Sequence, residues 1–223
     1  MSKRDFLSLA DFKPDEIYHL LAKAMDFKRQ RRQNKPHRLL RGKTVALIFS
    51  KPSTRTRVSF ETAIADLGAD SIFLNANDLQ LGRGETIEDT GKVLSRYVDA
   101  LVVRTHDHSE LEALAAVSSI PIINALTNKY HPCQALADLM TILEKKDRLS
   151  GIKLAYLGDG NNVCNSLMLA AAKVGIKLSV ASPKGYEPQA SVIEEAKALK
   201  TGLNGIKITR KITSAVKGAD VIY

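Results

Sequence analysis

Short apolar runs rich in β-branched residues alternate with stretches of helical period along almost the whole chain, and nothing else in the sequence constrains the fold as strongly. TVALIF (44–49) has the length and composition of a buried strand, and DSIFLN (70–75), DALVVRT (99–105) and IPIINA (120–125) read as further strands. KLAYLGD (153–159), KLSVASP (177–183), GIKIT (205–209) and ADVIY (219–223) continue the series. The spacing predicts helices over 15–32, 54–67, 86–97, 109–118, 162–174, 188–200 and 213–217. Strands separated by helices pair in parallel through crossovers, so the chain reads as α/β, with βαβ units in three αβα layers. A longer helix from Pro132 to Lys146 interrupts the alternation, and proline suits its first position. That helix links a first domain over 1–147, which includes it, to a second over 148–223. The length is compatible with one to two domains of ordinary size.

Composition excludes several classes of function. With 44% hydrophobic and 26% charged residues, the chain has the make-up of a globular protein rather than a disordered one. No run approaches the roughly 18 apolar residues of a membrane span. The opening MSKRDFLSLADF lacks the apolar core of a signal peptide, so a cytoplasmic protein with no membrane partner is expected. Cys133 and Cys164 have neither metal-ligand spacing nor a disulfide framework, and Cys133 reads as a packing residue. The formal charge of +9 suits an anionic partner. Its Lys and Arg are scattered, however, apart from KRQRRQNKPHR (28–38), which reads as a solvated helix end. The absence of Trp and the few aromatics speak against a stacking platform for nucleic acid, which leaves small anions.

In an open parallel sheet, ligands bind beyond the carboxyl ends of the strands, and three polar clusters stand there. After the first strand comes Ser53-Thr54-Arg55-Thr56-Arg57 at a helix start. A helix N-terminus presents unpaired N–H groups and roughly half a positive charge. Hydroxyls add donors there, and a guanidinium can clamp two phosphate oxygens at once. The same residues also suit a plain cap with exposed arginines. Positions 55 and 57 point about 200° apart around a helix, so Arg55 is assigned to a ligand and Arg57 to an ion pair. Arg104 closes an apolar strand, where a charge needs either a buried ion pair or a ligand. His131 and Gln134 lie three residues apart at the start of helix 132–146 and can meet one small polar group. No GxxxxGK[ST] occurs, so nucleotide hydrolysis is unsupported, and GDGNN (158–162) lacks the full GxGxxG fingerprint.

Taken together, STRTR (53–57), RTH (104–106), HPCQALADL (131–139) and GDGNNVCNS (158–166) resemble the aspartate/ornithine carbamoyltransferase family. The similarity runs over the whole chain, and GDGNN and QLGRGE (80–85) point to the ornithine branch. The resemblance implies transfer of a carbamoyl group from carbamoyl phosphate to L-ornithine in arginine metabolism, without metal or cofactor. Arginine biosynthesis is among the expected roles, with the anabolic or catabolic direction left open. Ser53, Thr54, Arg55 and Thr56 would hold the phosphate. Arg104, His131 and Thr56 would draw charge from the carbamoyl oxygen, and Gln134 would orient its nitrogen. That makes Arg55, Arg104 and His131 the expected catalytic set, with Asn162 on the α-amino-acid end of ornithine. The family is built as trimers, so a homotrimer or a multiple of one is expected, with Gln80 reaching a neighbouring subunit's site.

The family pattern continues past the position of Tyr223 with an Asp, a Ser-Met-Gly loop and a His-Cys-Leu-Pro segment that complete the ornithine site. The resemblance therefore implies a C-terminally truncated chain with an incomplete second domain, able to bind carbamoyl phosphate. Carbamoyl transfer to another amine, such as putrescine or an acetylated ornithine, stays open at this point. So does a catalytically inactive anion-binding or assembly module.

Overall fold

A computed structural model of the chain describes residues 3–76, 79, 84–199 and 205–223, and its packing divides the chain into two compact units. One comprises Met1–Leu7 with Ala24–Asn128, the other Ser8–Lys23 with Lys129–Tyr223. The two-domain, parallel α/β architecture expected from the sequence is present. A first helix, α1 (Pro14–Arg32), begins in the second unit and ends in the first.

The first unit carries β1 (Thr44–Phe49), β2 (Asp70–Asn75), β3 (Ala100–Arg104) and β4 (Ile122–Leu126), all parallel, in the order β2-β1-β3-β4. Its crossovers are α2 (Thr54–Asp66), α3 (Ile87–Tyr97) and α4 (His108–Val117). Strand β1 shows why the sheet must be covered twice. Val45, Leu47 and Phe49 enter one core with Ile64 of α2, whereas Ala46 and Ile48 enter the other with Leu111 and Leu114 of α4. A strand apolar on both faces belongs in the middle of a parallel sheet. Helices α3 and α4 approach closely at Gly91, where an added Cβ would lie 2.8 Å from Val117 Cγ2. The chain start extends this sheet by one bridge: Phe6 N donates to the Ile122 carbonyl at 2.8 Å.

The second unit carries β5 (Lys153–Leu157), β6 (Lys177–Ala181), β7 (Ile206–Thr209) and β8 (Val221–Ile222), again parallel, in the order β7-β6-β5-β8. Its helices are α5 (Pro132–Lys146), α6 (Asn162–Val174), α7 (Ala190–Ala198) and α8 (Ile212–Val216). Helix α6 is buried almost all round, from Cys164 to Ala171, which is the mark of a central helix rather than a surface one. It packs against α5, α7 and a short 3₁₀ turn at Leu9–Asp11. That turn is closed by a capping box: Ser8 Oγ accepts from Ala10 N, and Asp11 Oδ2 accepts from Ser8 N.

Each sheet has a central strand whose two neighbours come from different points of the chain. β1 lies between β2 and β3, and β5 between β6 and β8. The crevice at such a reversal of strand order is where open α/β sheets bind ligands.

Candidate active site

In the first unit the reversal falls between β1 and β3, and two sequence-predicted groups meet there. Strand β1 runs out at Phe49, in register with Arg104 at the end of β3, and Ser50 N donates to the Arg104 carbonyl at 2.8 Å. The chain then passes Lys51 and Pro52 into α2, whose N-cap is Ser53. The Ser53 side chain makes no capping hydrogen bond, and the first turn holds no acidic residue to offset the helix dipole. Ser53 and Thr54 border a cavity of about 390 Å³ shared with Ser50, Arg57 and Phe73. Arg55 is exposed on the first turn of α2.

Arg57, expected to pair within the protein, donates from Nε to Glu61 Oε1 at 3.0 Å, and its guanidinium lies 3.6 Å over the Phe73 ring. Arg104 differs from it in every respect. It donates from Nη1 to Thr56 Oγ1 at 3.4 Å, and its Nε is buried without a hydrogen-bond partner among the described residues. Burial lowers its pKa from the usual value, yet a guanidinium keeps its proton in proteins. Thr56 and Arg104, separated by 48 positions, are thus brought together, while Arg57 is turned to other partners. Gln80 lies outside the described residues.

The second unit carries the remaining predicted groups. His131 is the N-cap of α5, with Pro132 at the first helical position, and its side chain makes no cap bond. Its backbone is fixed from α6: His131 N donates to Ser166 Oγ at 2.7 Å, and Asn165 Nδ2 donates to the Lys129 carbonyl at 3.0 Å. These two polar residues, buried among apolar neighbours on α6, therefore hold the segment that presents His131. Gln134 donates from Nε2 to Asp138 Oδ1 at 2.9 Å. Burial pushes the Cys133 and Cys164 thiols each up to about 12, so neither is a reactive thiolate at neutral pH.

After β5, the GDGNN turn divides its two asparagines by role. Asn161 caps α6, its Oδ1 accepting from Val163 N at 2.9 Å and Cys164 N at 3.1 Å. Its Nδ2 donates to Asp159 Oδ1, and Asn162, the residue expected to meet ornithine, takes the first helical position. Gly160 is required by close packing, since a Cβ there would lie 2.2 Å from Pro188 N.

Asp138, Asn165 and Ser166 were not singled out by the sequence. A Gln and an Asp four apart on a helix do signal a pair, and Asn-Ser within VCNSLMLAAA is a polar break in an apolar helix. Among the described residues no cluster of three or more metal-ligating side chains occurs, and no helix is long and apolar enough to cross a membrane.

Comparison with known proteins gives this arrangement a family. Residues 4–144 match the carbamoyl-phosphate-binding domain of aspartate/ornithine carbamoyltransferases, and residues 150–223 match the aspartate/ornithine-binding domain. Ornithine carbamoyltransferase of Pyrococcus horikoshii is 54% identical over 222 residues, covering 99% of this chain and 70% of that protein. The Bacillus subtilis enzyme of the same name is also 54% identical over 222 residues, covering 99% and 68%. The solved structure of ornithine carbamoyltransferase from Pyrococcus furiosus superposes with a TM-score of 0.96 at 53% identity, covering all of this chain and 71% of that one. With both domains matched and more than half of the aligned residues identical, the chain belongs to the aspartate/ornithine carbamoyltransferase family.

Proposed function

We propose that the protein transfers the carbamoyl group of carbamoyl phosphate to the δ-amine of L-ornithine, giving L-citrulline and phosphate, as a step of arginine biosynthesis. The observation that carries this reading is Arg104. A half-buried guanidinium whose buried Nε has no partner among the described residues, beside Thr56 and an uncapped helix start, is an arrangement that favours an anionic acceptor. Relatives named ornithine carbamoyltransferase, one of them as anabolic, support ornithine as the amine and biosynthesis as the direction.

In this reading Ser53, Thr54, Arg55 and Thr56 bind the phosphate. Arg104, His131 and Thr56 face the carbamoyl oxygen, Gln134 the carbamoyl nitrogen, and Asn162 the α-amino-acid end of ornithine. The lone pair of the neutral δ-amine attacks the carbamoyl carbon, forming the new C–N bond and placing negative charge on the carbonyl oxygen. Preorganised positive donors stabilise that oxyanion. The C–O bond to phosphate then breaks, phosphate takes the electron pair while held at the start of α2, and the nitrogen gives up its proton. Proximity and electrostatics suffice for this chemistry without metal or cofactor.

A cytoplasmic homotrimer, or a multiple of one, fits the family resemblance, with Gln80 serving the site of a neighbouring subunit. The domains are drawn at 1–147 and 148–223. The test is product formation from carbamoyl phosphate with ornithine, putrescine and N-acetylornithine in parallel. Citrulline from ornithine alone is expected. Product from another amine alone would reassign the substrate, and carbamoyl phosphate binding without any product would leave an anion-binding module.

A further inference from the structure

One turn along α5 from Gln134 stands a carboxylate for which the proposed chemistry has no role. Asp138 is half-buried; its Oδ1 accepts from Gln134 Nε2 at 2.9 Å, and its Oδ2 is buried without a partner among the described residues. Burial pushes its carboxyl up to about 6, opposed by the bond from Gln134. Ionising a group there is unfavourable, and a hydrogen bond to Gln134 does not require it, because an asparagine or serine oxygen could accept equally well.

What an ionised carboxylate has, and those side chains lack, is that it cannot donate, and a carboxyl titrating at about 6 is mostly ionised at neutral pH. A glutamine amide can turn either its oxygen or its nitrogen toward a neighbour that both donates and accepts. Facing a group that only accepts, it has one orientation, with Nε2 toward Asp138 and Oε1 turned away. We propose that Asp138 is a positioning residue that locks the Gln134 amide with its oxygen outward, so that the site accepts N–H groups and selects carbamoyl phosphate over acyl phosphates that lack them. The proposal rests on the reading that Gln134 meets the carbamoyl nitrogen, and it explains why a stability-lowering charge sits at this place on α5.

The experiment compares two ligands that differ at that one group. Carbamoyl phosphate and acetyl phosphate, which has a methyl in place of the amine, are titrated calorimetrically into the parent chain, Gln134→Ala, Asp138→Asn and the double variant. Losing one oriented hydrogen bond should weaken carbamoyl phosphate about fivefold to tenfold in Asp138→Asn, with acetyl phosphate unchanged. The double variant should bind carbamoyl phosphate no more weakly than Gln134→Ala alone. Thermal unfolding checks the fold, and Asp138→Leu, which neither accepts nor donates, replaces the asparagine variant if that one fails to fold. Equal losses for both ligands, no loss for carbamoyl phosphate, or an Asp138→Asn effect undiminished in the Gln134→Ala background would overturn the proposal. A parent chain that binds both ligands equally well removes the selectivity but leaves the phosphate site standing. A parent chain that binds neither overturns the site reading itself and this proposal with it.

Discussion

Helices α2 and α6 begin in the same topological place, directly after the strand at which each sheet reverses its order, yet the two starts are built in opposite ways. At α6, Asn161 satisfies two backbone N–H groups with its own side chain, and Gly160 presses against the backbone of Pro188. At α2, Ser53 caps nothing, no acid offsets the dipole, and Arg55 adds charge of the same sign. The contrast extends to α3 in the first unit itself, where Thr86 caps Asp89 N and Glu88 and Asp89 occupy the first turn. Capping is therefore available to this chain and is withheld at α2. A helix start closed by its own residues contributes stability, and one left open is available to an anion. On this reading, the first unit gives up a cap to build a phosphate seat, while the second uses the equivalent turn to hold its fold.

The largest expected effect lies at the open start. Arg55→Ala should lower the rate of carbamoyl transfer by about 10²–10³, the range for removing one preorganised donor. Arg57→Ala, which breaks only the Glu61 pair and the stacking on Phe73, should leave carbamoyl phosphate affinity nearly unchanged once stability is matched. Equal losses in direct binding would erase the distinction between the two arginines.

The next effect concerns the second unit, whose electrostatic strain sits at Asp138 rather than at a helix start. A carboxyl with its folded pKa raised holds its proton longer in the folded state than in the unfolded one. The folded state is thus progressively disfavoured as pH rises from about 4 to about 6. Asp138→Asn removes that titration, so its stability relative to the parent should grow across this window by about 1–3 kcal/mol and stay level above it. Urea unfolding at pH 4, 5, 6 and 7 measures the difference. A constant difference across the series would mean that Asp138 does not carry the shift.

The smallest effects compare the two caps directly. Asn161→Ala should cost about 1 kcal/mol of stability, the ordinary loss for a working N-cap. Ser53→Ala, with no cap bond to lose, should stay within about 0.5 kcal/mol while weakening phosphate binding. A stability loss at Ser53 matching that at Asn161 would return the α2 start to an ordinary cap.

The central strands were legible because burial on both faces of a parallel sheet demands continuous apolar runs such as TVALIF, whereas the edge strand DSIFLN, largely exposed, was legible from its β-branched and aromatic residues between turn signals. Limits shifted by a residue or two where a cap decides them: Thr86, read as helical, is the N-cap of α3, and the last strand shortens to Val221–Ile222. The 3₁₀ turn at Leu9–Asp11 escaped because three residues carry no period, although Ser8 and Asp11 spell its capping box.

In the site, Thr56 and Arg104 were related through the strand-end rule and the family resemblance, since nothing local links residues so far apart. The neighbours Asn161 and Asn162 are chemically alike, and only backbone geometry separates the cap from the residue after it. Asp138 could be paired with Gln134 from spacing, but its burial, which raises its pKa, depends on chain packed around α5.

Hydrogen exchange at single-amide resolution, with and without saturating carbamoyl phosphate, tests the contrast between the two helix starts most directly. Protection should appear at the backbone amides of Ser53 to Thr56, with no change at Val163 and Cys164, whose N–H groups Asn161 already engages. Equal protection at both starts, or protection at α6 with none at α2, would contradict the account.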